Sequence, residues 1–212
     1  MHQLKAIGLN PLLAAYVASL EKGMDAIGAE RRELLGRVAA FVRQKRLAGE
    51  PAELTFICTH NSRRSHFGQA WAQVAAYVYG VGEVECYSGG TEATAANPRT
   101  IAALQRAGFE VEIALEGANP HYRLRFAEGQ MPVIAFSKVY DAPVNPSEGF
   151  VAVMTCTQAD EDCPYIPGAA LRVALPYDDP KSSDGSPAEA ATYDERCRQI
   201  ATEMFYIFKV VI

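Results

Sequence analysis

The chain has 212 residues, of which 49% are hydrophobic, and its formal net charge is −5 at pH 7. This is enough apolar sequence for one α/β domain with an appendage, and it excludes a disordered tail protein. The charges form no long single-sign run and no stretch approaches the roughly 20 apolar residues that cross a bilayer, so we expect neither a nucleic-acid partner nor a membrane partner.

The cysteines indicate the compartment. There are five, at spacings that match no zinc site and no secreted disulfide framework. The N-terminus also lacks the apolar core and cleavage site of a signal peptide. We therefore expect a cytoplasmic protein with reduced thiols, no metal and no cofactor.

Two amphipathic helices are predicted before residue 50. Apolar side chains recur at helical spacing over residues 9–22 and again over 29–47. Gly49-Glu50-Pro51 then ends the pattern. The sequence predicts an N-terminal helical extension over residues 1–50, followed by a domain over residues 52–212.

Within that domain, strand and helix patterns alternate. Short β-rich or apolar runs predict strands at the following positions: 54–57, 84–87, 150–155 and 171–175. Helical spacing follows the first run up to Gly80, Asn97-Pro98 opens a helix that Gly108 closes, and a last helix is predicted over 193–208. This order predicts a parallel sheet of about four strands with flanking helices.

The stretch 118–148 interrupts this alternation. Its runs at 122–126 and 133–140 flank a short polar turn at 127–130. This pattern predicts a β-hairpin or a folded-over insertion.

The clearest functional signal is a cysteine loop. Cys58 ends the first predicted strand, and five residues separate it from Arg64 and Ser65 at the start of a helix. Backbone N–H groups of such a loop converge on one point, where the helix N-terminus adds partial positive charge. A tetrahedral dianion fits there, and the same field favours a nucleophilic thiolate at Cys58. The alternative is a buried cysteine followed by an ordinary polar loop.

Each loop residue has a predicted part in binding an oxyanion. Arg64 can bind two equatorial oxygens through its planar guanidinium, and Ser65 can donate a hydrogen bond to the cysteine sulfur. The amide of Asn61 can fix the shape of the loop. The predicted oxyanion contacts come from Thr59, His60, Asn61, Ser62, Arg63 and Arg64.

Three segments resemble the low-molecular-weight tyrosine phosphatase superfamily, and within it the thioredoxin-coupled arsenate reductases. They are the loop from Cys58 to Ser65, the segment 87–93 and Asn97-Pro98. The resemblance covers roughly residues 52–208 and implies a flavodoxin-like fold with the phosphate loop after the first strand. It also implies that the general acid is Asp179, because the acid of this superfamily directly precedes a proline.

A pair of cysteines favours the reductase branch. Cys156 and Cys163 follow a predicted strand, and the arsenate reductases carry such a pair at this place. The resemblance implies that the Cys58 thiolate attacks arsenate, that Cys156 releases arsenite as a Cys58–Cys156 disulfide forms, and that Cys163 takes over this disulfide for a thioredoxin-like reductant.

Two other functions stay open. Without resolving thiols, water would hydrolyse a phosphocysteine, and the protein would be a phosphatase of phosphomonoesters. The other is a non-catalytic oxyanion sensor with the N-terminal helices as its interaction arm. For the cysteine pair itself, the alternative to a redox role is two structural thiols.

Some positions depart from the families that the chain resembles. Arg63 stands where arsenate reductases usually have a further cysteine, and His60 replaces a small residue. Gln69 occupies the position of a glutamate that helps to bind potassium in some members, which leaves a potassium site in doubt. Lys181-Ser182-Ser183 replaces the pair of tyrosines that follows Asp-Pro in the phosphatases, which weakens phosphotyrosine as the substrate.

Overall fold

Strands and helices alternate along residues 8–163 and 165–212, which are the residues that this computed structural model describes. The helices are α1 (Pro11–Met24), α2 (Ala29–Ala48), α3 (Arg64–Val78), α4 (Pro98–Ala107), α5 (Thr157–Asp162) and α6 (Glu189–Val211). The strands are β1 (Ala52–Cys58), β2 (Val84–Gly90), β3 (Glu110–Leu115), β4 (His121–Arg125), β5 (Val133–Ala135), β6 (Val151–Met154) and β7 (Leu171–Ala174). A 3-10 helix spans Pro180–Ser183.

Four strands form the parallel sheet that the sequence predicts. Their order is β2–β1–β6–β7. Strand β1 pairs with β2 along its full length, up to Cys58 opposite Gly90, and pairs with β6 on its other side. The carboxyl ends of all four strands meet at one edge, where ligands of such sheets bind. The predicted flavodoxin-like fold class is therefore confirmed.

Strand β1 is buried on both faces, as expected for a central parallel strand. Leu54 and Phe56 are fully buried in it. Helix α3 crosses β1 closely because Gly68 has no side chain at the crossing: a Cβ at Gly68 would lie 2.7 Å from Cγ of Phe56. This close packing fixes the start of α3 relative to the end of β1.

The two N-terminal helices belong to the same hydrophobic core. Trp71 of α3 stacks on Tyr16 of α1, with ring centroids 5.2 Å apart, and meets Phe205 of α6 edge-on. Arg31 of α2 forms an ion pair of 2.8 Å with Glu203 of α6. Residues 1–7 of the predicted extension lie outside the described residues, and the division of the chain at residue 50 stays a prediction. No described helix is both long enough and apolar enough to cross a membrane.

The second sheet is antiparallel, in the order β3–β4–β5. Strands β4 and β5 pair as the predicted hairpin, although β5 ends at Ala135 rather than near residue 140. Strand β3 was not predicted. Its signal is the alternation of glutamates with Val111 and Ile113, but the strand is largely exposed, and Ile113 itself is 53% exposed. The sheet therefore starts at Glu110, ahead of residue 118.

Strand β2 is an edge strand whose outer backbone groups are capped by amide side chains. Gln73 donates to the Val84 carbonyl and accepts from the Cys86 N–H, each at 3.1 Å. Gln69 Nε2 donates to the Cys86 carbonyl at 3.1 Å. These bonds satisfy backbone N–H and carbonyl groups of β2 that could otherwise pair with a further strand.

Gly90 gives the first prediction, because it ends β2 against the cysteine loop. A Cβ there would lie 2.6 Å from the Thr59 carbonyl oxygen and 2.7 Å from the Asn61 nitrogen. Backbone atoms cannot rotate away, so we expect Gly90→Ala to lower the free energy of unfolding by about 1–3 kcal/mol in urea titrations. Gly82→Ala is the control, since its Cβ would meet nothing within 4 Å. Equal effects of the two substitutions would contradict this account.

Candidate active site

Cys58 lies at the carboxyl end of β1, directly before the loop that leads into α3. The residue is 3% exposed, and its Sγ lies 3.1 Å from the Ser65 hydroxyl in the first turn of α3. The first N–H groups of a helix have no acceptor within the helix, and they carry its partial positive charge. The cysteine sulfur therefore faces the positive end of α3.

Asn61 fixes the shape of the loop between them. Its backbone is left-handed, with φ of 44°, which asparagine tolerates better than most residues. Its side chain is fully buried: Nδ2 donates to the Ser65 hydroxyl at 2.9 Å, and Oδ1 accepts from the Lys138 N–H at 2.9 Å. The amide thus connects residue 138 to the serine that contacts Cys58.

The carbonyl groups of the loop are anchored outside it. The Thr59 carbonyl accepts from the Glu92 N–H at 2.8 Å, and the Ser62 carbonyl accepts from the Asn97 N–H at 2.9 Å. The His60 carbonyl accepts from the Ser137 hydroxyl at 2.9 Å. In a trans peptide the N–H points opposite to the carbonyl, so these bonds turn the following N–H groups the other way. This is the arrangement that an anion cradle requires.

Two predicted contributors to the cradle have other partners. The His60 ring is half exposed, and its Nε2 lies 3.7 Å from Glu92. Arg63 donates to the Tyr193 hydroxyl at 2.9 Å and lies 3.7 Å from Asp184 and 3.8 Å from Asp179. Both side chains therefore have partners within the protein, and their backbone N–H groups remain the candidates for oxyanion contact.

Asp179 lies beside Arg64, where the resemblance implies a general acid. Arg64 Nη2 donates to Asp179 Oδ2 at 2.9 Å, and Arg64 Nη1 donates to the Tyr177 carbonyl at 2.9 Å. Asp179 Oδ1 also accepts from the Lys181 N–H at 3.0 Å, which caps the 3-10 helix. The neighbouring Asp178 is 96% exposed in its side chain and faces another arginine. The geometry thus favours Asp179 over Asp178.

Cys156 and Cys163 stand at opposite ends of α5. Cys156 is buried, caps the helix by accepting from the Ala159 N–H at 3.4 Å, and has its Sγ 3.5 Å from the Thr59 hydroxyl. Cys163 is partly exposed and all the cysteines are free thiols. The structure therefore brings Cys156 next to Thr59, the residue that follows Cys58, whereas Cys163 lies at the other end of α5.

Cys86 and Cys197 are buried packing residues, as their positions in a strand and a helix suggest. Trp71 Nε1 donates to the Cys197 Sγ at 3.2 Å. Burial raises the pKa of the Cys197 thiol to about 12, and it raises the pKa of Cys86 as well. Both stay protonated thiols at neutral pH.

A buried polar cluster beneath the loop was not predicted from the sequence. It consists of Lys138, Ser88, His66 and Gln69, all less than 10% exposed. Burial and the charge of Lys138 lower the pKa of His66 to about 3, and burial lowers the pKa of Lys138 to about 8. A lysine within the largely apolar run 133–140 is the signal that could have indicated the cluster.

Comparisons with known proteins identify the family to which this sequence is similar. Residues 53–121 match the family model of low molecular weight phosphotyrosine protein phosphatases. An arsenate reductase of Bacillus cereus is 30% identical over 131 residues, which cover 62% of this chain and 78% of the relative. An arsenate reductase of Bacillus subtilis is 25% identical over 143 residues, 68% of this chain and 84% of the relative.

Solved structures show the same fold. A low molecular weight protein tyrosine phosphatase from T. tengcongensis superposes with a TM-score of 0.51 at 13% identity, covering 75% of this chain and 99% of that one. A second, from Vibrio cholerae, gives 0.50 at 12% identity, covering 75% and 95%. The chain belongs to the low-molecular-weight tyrosine phosphatase superfamily. It is an enzyme of either the phosphatase or the arsenate reductase type, with a tetrahedral oxyanion or phosphate group as its substrate class.

The buried His66 gives the second prediction. Its pKa in the folded protein lies below the 6.5 of an unfolded histidine, so the unfolded state binds the extra proton and stability is lost as pH falls below 6.5. We expect the wild type to lose about 2 kcal/mol more than His66→Gln between pH 7 and pH 5. Urea titrations at both pH values measure this difference. The same loss in both proteins would show that His66 is not buried in its neutral form.

Proposed function

We propose that the protein reduces arsenate to arsenite, with Cys58 as nucleophile and with Cys156 and Cys163 as resolving thiols. The observation that carries this proposal is the position of Cys156, which is buried with its sulfur 3.5 Å from the hydroxyl of the residue after Cys58. Hydrolysis of a phosphocysteine by water requires no second thiol at this position. The relatives named arsenate reductases support the same reaction.

The first step forms a sulfur–arsenic bond. The Cys58 thiolate attacks arsenic(V), while the loop N–H groups and Arg64 bind the remaining oxygens. The departing oxygen leaves as water after taking a proton from Asp179, which acts as general acid.

The second step transfers two electrons. The Cys156 thiolate attacks the Cys58 sulfur, the sulfur–arsenic bond breaks, and its electron pair leaves with arsenic as arsenite. A Cys58–Cys156 disulfide remains. Cys163 then attacks Cys156, which frees Cys58, and a thioredoxin-like dithiol reduces the Cys156–Cys163 bond. This cycle needs a reducing compartment, so we place the protein in the cytoplasm.

Formation of the Cys156–Cys163 disulfide requires α5 to unwind. Seven helical steps of 1.5 Å would separate Cys156 and Cys163 by about 10 Å along the axis, whereas a disulfide needs Cα atoms about 4.4 to 6.8 Å apart. In the reduced form Arg172 holds the carboxyl end of α5, donating to the Asp160 carbonyl at 2.7 Å and to the Cys163 carbonyl at 3.1 Å. A helix of six residues is marginal without such contacts, so breaking them frees the segment.

The alternative function is hydrolysis of phosphomonoesters. The family model and the structural neighbours of tyrosine phosphatase type favour it, and Cys58, Arg64 and Asp179 would serve it in the same roles. Water would then attack the phosphocysteine. The two functions share the first half of the cycle and differ in what attacks the covalent intermediate.

The third prediction concerns the nucleophile. Cys58→Ser should reduce turnover of arsenate and of an aryl phosphate to below about a hundredth of the wild-type rate, because a hydroxyl stays neutral at pH 7. Binding of inorganic phosphate, measured by calorimetry, should persist because the loop N–H groups remain. Turnover near the wild-type rate would remove Cys58 from this role.

The fourth prediction separates the two functions. Cys156→Ser and Cys163→Ser should each stop thioredoxin-linked arsenate turnover and leave aryl phosphate hydrolysis nearly unchanged, because hydrolysis needs no resolving thiol. After exposure to arsenate, peptide mapping should find no protein disulfide in Cys156→Ser and a trapped Cys58–Cys156 bond in Cys163→Ser.

Cys197→Ser is the matched control, since a hydroxyl can still accept from Trp71. It should turn over arsenate at close to the wild-type rate. If the wild type keeps all its thiols after arsenate treatment and still hydrolyses aryl phosphates, the reductase proposal fails and the phosphatase remains.

A further inference from the structure

Lys138 is a buried cation without a carboxylate partner. Its residue is 7% exposed, and no ion pair joins it to an acidic group among the described residues. Its Nζ lies 3.4 Å from the Ser88 hydroxyl and 4.4 Å above the Phe136 ring. Burying an ammonium group with neutral partners is costly. The contacts of Lys138 with the residues around the cysteine loop indicate why a charge is buried here.

Ser88 connects the ammonium to α3. Its hydroxyl proton is donated to Gln69 Oε1 at 2.7 Å, so its oxygen is left to accept from Lys138 Nζ. The His66 ring nitrogen Nδ1 lies 3.3 Å from the same oxygen. Because the proton of the hydroxyl is already used, His66 must be the donor in that contact. The Ser88 oxygen therefore accepts hydrogen bonds from Lys138 Nζ and from His66 in the first turn of α3.

The main chain of Lys138 holds the cysteine loop. Its N–H donates to Asn61 Oδ1 at 2.9 Å, and its carbonyl accepts from the Gly90 N–H at 2.9 Å. Lys138, which lies outside the loop, thus contacts Asn61 through its main chain and Ser88, beneath the loop, through its side chain.

We propose that the Lys138 ammonium is a positioning group of the active site: held by Ser88, it fixes the main chain whose N–H orients Asn61, and through Asn61 the Ser65 hydroxyl at Cys58. This inference rests on the proposed role of Cys58 as nucleophile and goes beyond it. It makes the segment that follows β5 part of the catalytic machinery.

The charge of Lys138 changes in an accessible pH range. Burial lowers its pKa to about 8, so the ammonium is lost as pH rises through that value. The titratable groups around it are His66 on α3, which stays neutral above pH 3, and Cys86 on β2, whose pKa burial raises. Glu85 and Tyr87 of β2 line the same cavity and are hydrogen-bonded to each other. Strand β5 contributes no titratable side chain.

The test compares Lys138→Met with the wild type over pH 6 to 10, by hydrolysis of an aryl phosphate and by affinity for inorganic phosphate. Misplacement of the loop should lower kcat/KM about 10- to 100-fold and weaken phosphate binding. The wild-type kcat should fall as pH rises through about 8, and the variant should lack this fall. The matched control is Lys209→Met, which removes a half-exposed lysine on α6 and should behave as wild type.

Rescue provides a readout that a merely structural role would not give. Lys138 lines a cavity of about 630 Å³, so a small cation can reach the space that Lys138→Ala leaves. Ethylammonium chloride should restore part of the activity of Lys138→Ala, and sodium chloride at equal ionic strength should not. If Lys138→Met does not fold, Ser88→Ala, which removes only the acceptor, should still lower kcat/KM and shift the alkaline fall.

The outcomes distinguish this inference from the proposed function. Wild-type kcat/KM and an unchanged pH profile in Lys138→Met or Ser88→Ala would overturn the role of Lys138, even where Cys58→Ser is inactive. If wild type and Cys58→Ser have equal activity, the proposed function falls. The phosphate affinity of Lys138→Met would then decide alone whether Lys138 positions the loop.

Discussion

The hydrogen bonds of the Asn61 amide hold together the parts of the active site that come from different regions of the chain. One side of this amide binds the Ser65 hydroxyl, and the other binds the main chain of Lys138. Asn61 makes both bonds from a left-handed backbone, a conformation that asparagine adopts more readily than most residues. The cradle for an oxyanion therefore depends on a buried amide that never needs to touch the substrate.

The rest of the fold supports this arrangement from three sides. The close approach of Gly68 to Phe56 fixes α3 on β1, and the pairing of Cys58 with Gly90 fixes the loop on β2. The N-terminal helices pack against α6 and α3 around Trp71, so they contribute to the core that carries α3. Small displacements in these layers would move the cysteine relative to the helix N-terminus, and effects of that size matter for catalysis.

The sequence was sufficient for features that depend on neighbours in the chain. The strand, loop and helix around Cys58 follow from the local pattern of β-rich, polar and helical residues, and the sheet follows from its repetition. The contacts of Arg63 and Lys138 could not be predicted in this way, because their partners Tyr193 and Asn61 lie 130 and 77 residues away. The exposed strand β3 was missed because it buries almost nothing, so tertiary packing leaves little trace in its sequence.

The pairing of Arg64 with Asp179 sets the order of events that the site permits. In the structure Arg64 donates to the Asp179 carboxylate and, through its other terminal nitrogen, to the Tyr177 carbonyl, each at 2.9 Å. An oxyanion in the loop competes for the same guanidinium, because the planar fork cannot bind both partners in full. In the proposed mechanism, substrate binding therefore withdraws Arg64 from Asp179. The proposed mechanism therefore requires the Arg64–Asp179 contact to open before Asp179 can act on the departing oxygen.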